Sequence, residues 1–282
     1  MTQPQIITRG NWRKVTPEDA GWQFSGLEIA QLSAGEAITF EADALERAFV
    51  PLSGKVTVEV AGETYEIGGR ASVFDGLGYT LYVPRDTAVR VVALDDAELA
   101  IASSVAEKKY EVRLVTPDDL SVESRGGGNA SRQVSTPIPP DFPADRLLVV
   151  EVWTPGGNWS SYPPHKHEVD REGESQLEEI YYYRLRDPEN GWAVQRAYSP
   201  ERDFDLTETV RDGDVCLLPW AYHTTVAAHG HDLYYLNVLA GGAEGRTLQA
   251  CQDPALAETQ NDWATAQADE RVPFVPRYPE NS

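Results

Sequence analysis

The chain has 282 residues, 41% of them hydrophobic, with 22 glycines and 19 prolines; this suits one large or two ordinary folded domains rich in turns and excludes disorder and a long-helix architecture. The formal net charge of −21 makes nucleic acid and anionic membrane surfaces poor partners, although a local cation can still admit an anionic small molecule. Two cysteines, Cys216 and Cys251, are too few for a disulfide framework; no run approaches the ~18 apolar residues of a membrane span, and Met1–Gln5 lacks a secretory pattern, so a reduced, soluble, cytoplasmic protein is expected.

In chain order, residues 17–32 suggest about one helical turn, and then short alternating runs take over. Lys55–Ala61 and Gly62–Gly68 read as two strands joined by a hairpin at Ala61-Gly62-Glu63. Leu81–Pro84, Ala88–Ala93 and Ala97–Ala102 continue the rhythm. Arg125-Gly-Gly-Gly-Asn129 and the proline-rich Pro137–Pro143 interrupt it, marking a junction between a unit 1–125 and a unit 126–282. Strands resume at Leu147–Trp153, Ile180–Arg184, Trp192–Arg196, Val215–Pro219 and Leu233–Leu239, and residues 253–268 are a candidate late helix. Gly76…Leu81-Tyr-Val-Pro84 echoes Gly213-Asp-Val-Cys-Leu-Leu-Pro219, which suggests a duplicated β-barrel. Many short strands at even spacing make the chain all-β, a sandwich or small barrel repeated twice.

All five histidines fall between residues 165 and 231. His165 and His167 are two apart, so on a strand they project to one face while Lys166 faces away. Imidazole is the commonest ligand for a borderline divalent metal. Five glutamates follow: Glu168, Glu172, Glu174, Glu178 and Glu179. Those of 168–175 read as a solvated loop. Glu179 is preferred as a ligand because it borders the strand Ile180–Tyr183 and shares parity with Tyr181 and Tyr183. His223, past the turn after Pro219, is the fourth candidate ligand. His229-Gly230-His231-Asp232 reads instead as a hairpin tip. The histidine-free first half has no such site.

Together these residues resemble the cupin pattern: two histidines one residue apart and a later glutamate, then Gly213, Pro219 and His223 for the second motif, with Asn237 for its closing asparagine. A closer resemblance covers almost the whole chain. Gly68–Asp75, Arg125–Arg132, Trp159-Ser-Ser-Tyr-Pro-Pro-His-Lys-His-Glu168, Leu177–Tyr183 and Asp232–Gly241 are similar to the 5-deoxy-glucuronate isomerase family of inositol breakdown, related to the 4-deoxy-5-threo-hexosulose-uronate isomerases. The sequence departs from the family at Ala221 and His231, both near His223. The resemblance implies a bicupin of two tandem antiparallel jelly-roll barrels, the first degenerate, and conversion of 5-deoxy-D-glucuronate to 2-deoxy-5-keto-D-gluconate.

In such an aldose–ketose isomerisation a divalent metal would polarise the carbonyl and stabilise an enediolate. His165, His167, Glu179 and His223 suit zinc or manganese, and also iron or nickel. Tyr181, Tyr183 and Glu174 are candidate bases, a phenol of pKa ~10 needing help from a cation. Arg132 and Arg184 are candidates to bind the carboxylate of a uronate-type sugar acid, Arg184 having the opposite parity to Tyr183. A homo-oligomer is compatible with this expectation. The alternatives are a cupin metal-dependent dioxygenase and a non-catalytic sugar-binding bicupin.

Overall fold

The computed structural model describes residues 2–242, 246–259, 265–273 and 275–278. The first half comprises β1 (Gln5–Ile7), β2 (Lys14–Val15), the one-turn helix α1 (Pro17–Ala20), β3 (Ser25–Leu32), β4 (Ala37–Phe40), β5 (Leu45–Ser53) and β6 (Lys55–Val60). It continues with β7 (Glu63–Gly68), β8 (Thr80–Val83), β9 (Val89–Ala93), β10 (Ala97–Val105), β11 (Arg113–Val115) and β12 (Glu123–Arg125). The second half contains β13 (Arg132–Ile138), β14 (Leu148–Thr154), β15 (Trp159–Lys166), β16 (Glu178–Leu185) and β17 (Ala193–Ser199). After these come β18 (Phe204–Val210), β19 (Val215–Leu218), β20 (Tyr222–Ala227), β21 (Leu233–Ala240) and β22 (Cys251–Gln252).

The chain is all-β, and each half is an antiparallel sandwich. In the first, the sheet β11-β8-β5-β10-β3-β2 faces β4-β9-β6-β7; in the second, β1-β19-β16-β21-β14-β13-β12 faces β18-β17-β20-β15-β22. The turn between β6 and β7 has positive φ at both Ala61 and Gly62, the backbone that a two-residue hairpin requires. Of residues 17–32 only one turn is helical: Thr16 and Asp19 cap it reciprocally and Gly21 ends it in the left-handed region. The rest is β3. Within 253–268, Pro254–Leu256 forms a 3-10 turn, and residues 260–264 lie outside the described residues. Cys216 and Cys251 are unpaired. No helix among the described residues is long and apolar enough to cross a membrane.

Three cores follow from strand alternation. One fills the first sandwich, with Phe49, Val56, Val91 and Leu99. Another fills the second, with Tyr181, Tyr183, Cys216 and Tyr235. A third joins the backs of the two large sheets, Ala48, Val50 and Tyr82 meeting Trp153, Ile180, Tyr182 and Leu236. The central strands β5 and β16 are therefore buried on both faces, which is why Ile180–Tyr183 reads as an unbroken apolar run. Exchange at the chain ends binds the halves further. Strand β1 leaves the first half to pair with β19, and β12 also joins the second half's sheet through β13. Near the C-terminus, Val275 returns to the shared core.

Ladder registers align the two halves. Arg47 of β5 pairs with Val83, which precedes Pro84, as Glu179 of β16 pairs with Leu218, which precedes Pro219. Phe40 pairs with Val89 as His165 pairs with His223. The Leu81–Pro84 and Val215–Pro219 segments are thus structural counterparts.

Candidate metal centre

Three strands of the second sandwich deliver the site. His165 lies on β15, His167 immediately beyond it, His223 on β20 and Glu179 near the start of β16. Between Ser160 and His165 the β15–β20 ladder shifts register. Pro163 and Pro164 donate no ladder hydrogen bonds, and Ser161 takes φ 58°, so β15 bulges and re-aims the residues that follow. The imidazoles of His165, His167 and His223 bring one nitrogen each within 4.8 Å of one another.

The polar contacts favour a cation among these groups. His167 Nδ1 is 3.0 Å from Leu177 O and His223 Nδ1 is 3.1 Å from Ala221 O. Each Nδ1 must be a donor to its carbonyl, which leaves a lone pair on each Nε2 of the neutral rings. Both Nε2 atoms approach the same acceptor, Glu179 Oε2, at 2.6 Å and 3.1 Å. His223 Nε2 is buried with no hydrogen-bond partner among the described residues. Two lone pairs converging on a carboxylate need positive charge, from protons or a metal ion. Asn237 Nδ2 donates to Glu179 Oε1 at 2.5 Å and fixes the carboxylate's other edge. The three-imidazole set, the adjoining carboxylate and the two carbonyls that orient the His167 and His223 rings together fit a divalent metal.

Electrostatics agree. Burial pushes the His165 pKa well below its ordinary value, with His223 adding to the effect, so its ring is neutral and able to ligate. For His167 burial also opposes charge, but the Glu179 carboxylate overrides it and the shift is upward. Burial likewise opposes ionisation of Glu179, but His167 and His223 hold its pKa well below the usual carboxylate range.

A cavity of about 120 Å³ opens beside this set, lined by Arg132, Ser161, Tyr181, Tyr235 and Asn237 together with His165, His167 and Glu179. Arg132 donates to Ala130 O at 3.4 Å, and among the described residues no carboxylate lies within ion-pair distance of it. Desolvation lowers its pKa, which the phenols of Tyr235 and Tyr181 partly oppose. Tyr181 lines the cavity with its pKa pushed well up, by burial first and then by Glu179. Tyr235 OH is 2.7 Å from Ser160 Oγ and 3.4 Å from Ser161 Oγ.

The other residues anticipated for the site stand elsewhere. Tyr183 has the same parity as Tyr181 but is fully buried one step deeper, donating to Gln195 Oε1 at 2.8 Å. Glu174 is buried under its own loop, accepting from Glu168 N and Arg171 Nε. Arg184 points to the opposite face of β16, where Glu98 and Asp212 bind it. None of these three lines the metal-side cavity. Lys166 turns away from the metal set to Glu168, at 2.9 Å. His229 and Gly230 occupy an exposed turn.

Arg125, Tyr235 and Ser161 also line the cavity, although none is among the residues anticipated from the sequence. Arg125 lines both this cavity and a larger cleft of about 690 Å³ along β11, β12 and β13. Tyr235 shares parity with Asn237 on β21, the signal that would have found it.

In the first half the corresponding positions hold no ligand. Arg47 stands for Glu179, Val89 for His223 and Phe40 for His165. The Arg47 guanidinium lies 5.4 Å from the Phe40 ring centroid.

Two tandem antiparallel sandwiches, one with an imidazole–carboxylate pocket, define a bicupin with a single candidate metal centre among the described residues. Residues 1–259 match the KduI/IolB family model, and the chain belongs to that family. It is 44% identical over 248 residues to the 5-deoxy-glucuronate isomerase of Geobacillus thermodenitrificans (strain NG80-2), covering 87% of this chain and 89% of the relative. It is 38% identical over 246 residues to the 5-deoxy-glucuronate isomerase of Bacillus subtilis (strain 168), with coverages of 86% and 90%. Among solved structures, an IolB-like protein from Salmonella typhimurium LT2 superposes with a TM-score of 0.84 at 37% identity, over 92% of this chain and 98% of the other. Lactobacillus farciminis oxalate decarboxylase, at 13% identity and a TM-score of 0.61 over 87% and 84% of the two chains, shares the fold.

Proposed function

We propose that the chain is a 5-deoxy-glucuronate isomerase, an intramolecular oxidoreductase converting 5-deoxy-D-glucuronate to 2-deoxy-5-keto-D-gluconate in the cytoplasmic breakdown of inositol. One observation carries the reading onto the site: Arg132, a guanidinium with no carboxylate partner among the described residues, opens on the same cavity as His165, His167 and Glu179. A sugar acid with a carboxylate at one end and an aldehyde at the other matches that pairing of cation and metal set. In this reading residues 1–125 form a degenerate cupin unit, and residues 126–282, joined by β1 and β12, form the metal-bearing one.

His165, His167, Glu179 and His223 would hold one divalent ion, zinc or manganese before iron or nickel. Bound there, such an ion polarises the carbonyl and lowers the energy of the enediolate oxygens. The reaction moves one proton from C2 to C1 and one from the C2 hydroxyl to the aldehyde oxygen, so that the aldehyde becomes a primary alcohol and C2 a ketone. Arg132 binds the carboxylate and orients the chain of carbons. The raised pKa of Tyr181 keeps its phenol protonated, so Tyr181 serves as a hydrogen-bond donor to a substrate oxygen. Val134, Val150 and Leu239 give the cavity apolar walls, which exclude water from the enediolate.

The test is proton NMR of 5-deoxy-glucuronate with the purified protein, metal-loaded and chelator-stripped. The expected result is ketose only with metal. Turnover surviving complete stripping would remove the metal from the reading, and no turnover with any of the four metals would remove the isomerase.

A further inference from the structure

The histidine-free first half grips the second at a point one residue from the metal set. Glu178 precedes Glu179 on β16, and alternation sends its side chain to the opposite face, toward the first half. There its carboxylate accepts three backbone N–H bonds, from Gln23 at 2.7 Å and from Phe24 and Ser25 at 2.8 Å each. Ser25 Oγ donates in turn to the Glu178 carbonyl at 3.0 Å. Side chain and carbonyl are thus both anchored, and the orientation of the peptide leading into Glu179 is set from the first half. The preceding residue is equally constrained, since Leu177 O takes the His167 Nδ1 bond and Leu177 N donates to His167 O at 3.0 Å. Residues 177, 178 and 179 therefore tie a ligand ring, the other half and the metal carboxylate into one short stretch.

The chain contains its own control. Glu46 on β5 makes the reciprocal grip, accepting from Asp145 N, Arg146 N and Leu147 N at 2.7–2.9 Å and from Tyr82 OH at 2.7 Å. Its next residue is Arg47, so the same device stands beside no ligand. A staple that served stability alone would matter equally at both positions.

We propose that Glu178 is a positioning residue: by binding the backbone of residues 23–25 it fixes Glu179 between His167 and His223. The inference rests on the metal reading above. Carboxylates and rings that hold ligands in place typically govern metal affinity by about 10–100-fold. The full chain, wild type and the variants Glu178→Gln and Glu46→Gln, is titrated with Zn²⁺ and Mn²⁺ against a chromophoric chelator, and thermal midpoints are measured alongside. An amide keeps the shape of Glu178 but replaces one accepting oxygen by a donor. The expected result is affinity weakened about 10-fold or more in E178Q and by less than about 2-fold in E46Q, at similar loss of thermal midpoint. Unchanged affinity in E178Q, or equal weakening in E46Q, overturns the proposal. Should E178Q fail to fold, Ser25→Ala, which removes only the carbonyl anchor, replaces it; about 3-fold weakening supports the proposal and none overturns it. A wild-type chain that binds neither ion sinks the metal reading and the proposal together, whereas tight wild-type binding with unaltered E178Q sinks the proposal alone.

Discussion

At the residue scale, Arg132 bears the most specific expectation. Its guanidinium is desolvated beside the histidine set and no acid among the described residues neutralises it, so under the proposed function its counter-charge would come from an anionic substrate. Hydrogen bonds to charged groups contribute about 1.5–3 kcal/mol each. Arg132→Ala should therefore lower kcat/KM by roughly 10–100-fold, mostly through KM, with metal content unchanged; Arg132→Lys should recover part of that as a point charge without the fork. Steady-state kinetics with metal analysis on the same samples would check this, and a variant with wild-type KM would remove Arg132 from substrate binding. The sequence separates Arg132 from Arg184 only partly. Parity on β16 sends Arg184 with Tyr182 to the back of the sheet, where Glu98 and Asp212 await it, but no local pattern tells which distant acids those will be. Tyr183 shows the limit of parity: it shares a face with Glu179 and Tyr181, yet sits too deep in the sandwich to meet the cavity.

At the level of elements, β16 was the most legible strand and the most consequential. A short apolar run bordered by two glutamates signals a strand covered on both sides, and in the fold Ile180 and Tyr182 enter the shared core while Tyr181 and Tyr183 enter the second sandwich. Strand β3 was not legible, because Glu28 and Gln31 interrupt the alternation of Ser25–Leu32 and its order comes from pairing along its whole length with β10. The bulge of β15 was also hidden: prolines announce an irregular ladder, but not which way it re-aims the histidines. Since Ile180 is fully buried between the halves, Ile180→Ala should cost about 2–5 kcal/mol. Denaturant unfolding measures the loss. Because Ile180 and Glu179 face opposite ways, metal stoichiometry of the folded variant should stay at the wild-type value, and a large stability loss accompanied by loss of metal would show that the two faces of β16 are coupled more tightly than alternation implies.

On the scale of the whole molecule, the duplicated architecture was visible in the echo of Leu81–Pro84 and Val215–Pro219, whereas the exchanges between halves were not. Three residues of β1 carry no signal that their partner lies some two hundred positions further on. The same holds for the buried ion pair that crosses the interface. Arg70 of the first half meets Glu151 of the second at 2.8 Å, both almost wholly excluded from solvent. Arg70 also donates to Pro51 O and Gly76 O, while Tyr234 OH shares Glu151 Oε1. Removing one member of such a pair typically costs about 3–5 kcal/mol because the other charge stays buried, while removing both costs less. Arg70→Met should thus destabilise strongly, leaving Glu151 with Tyr234 alone and two carbonyls without their donor. Adding Glu151→Gln removes the stranded charge and should return part of the loss, so the double variant should be more stable than R70M despite carrying one more substitution. Denaturant unfolding of the wild type, both single variants and the double variant gives the coupling directly. Costs that simply add would mean that Glu151 becomes protonated or hydrated in R70M, and that the interface is open enough to admit a proton or water at its centre. The shared core between the two sheets argues against that opening, and it also predicts that the wild type unfolds in one transition rather than half by half.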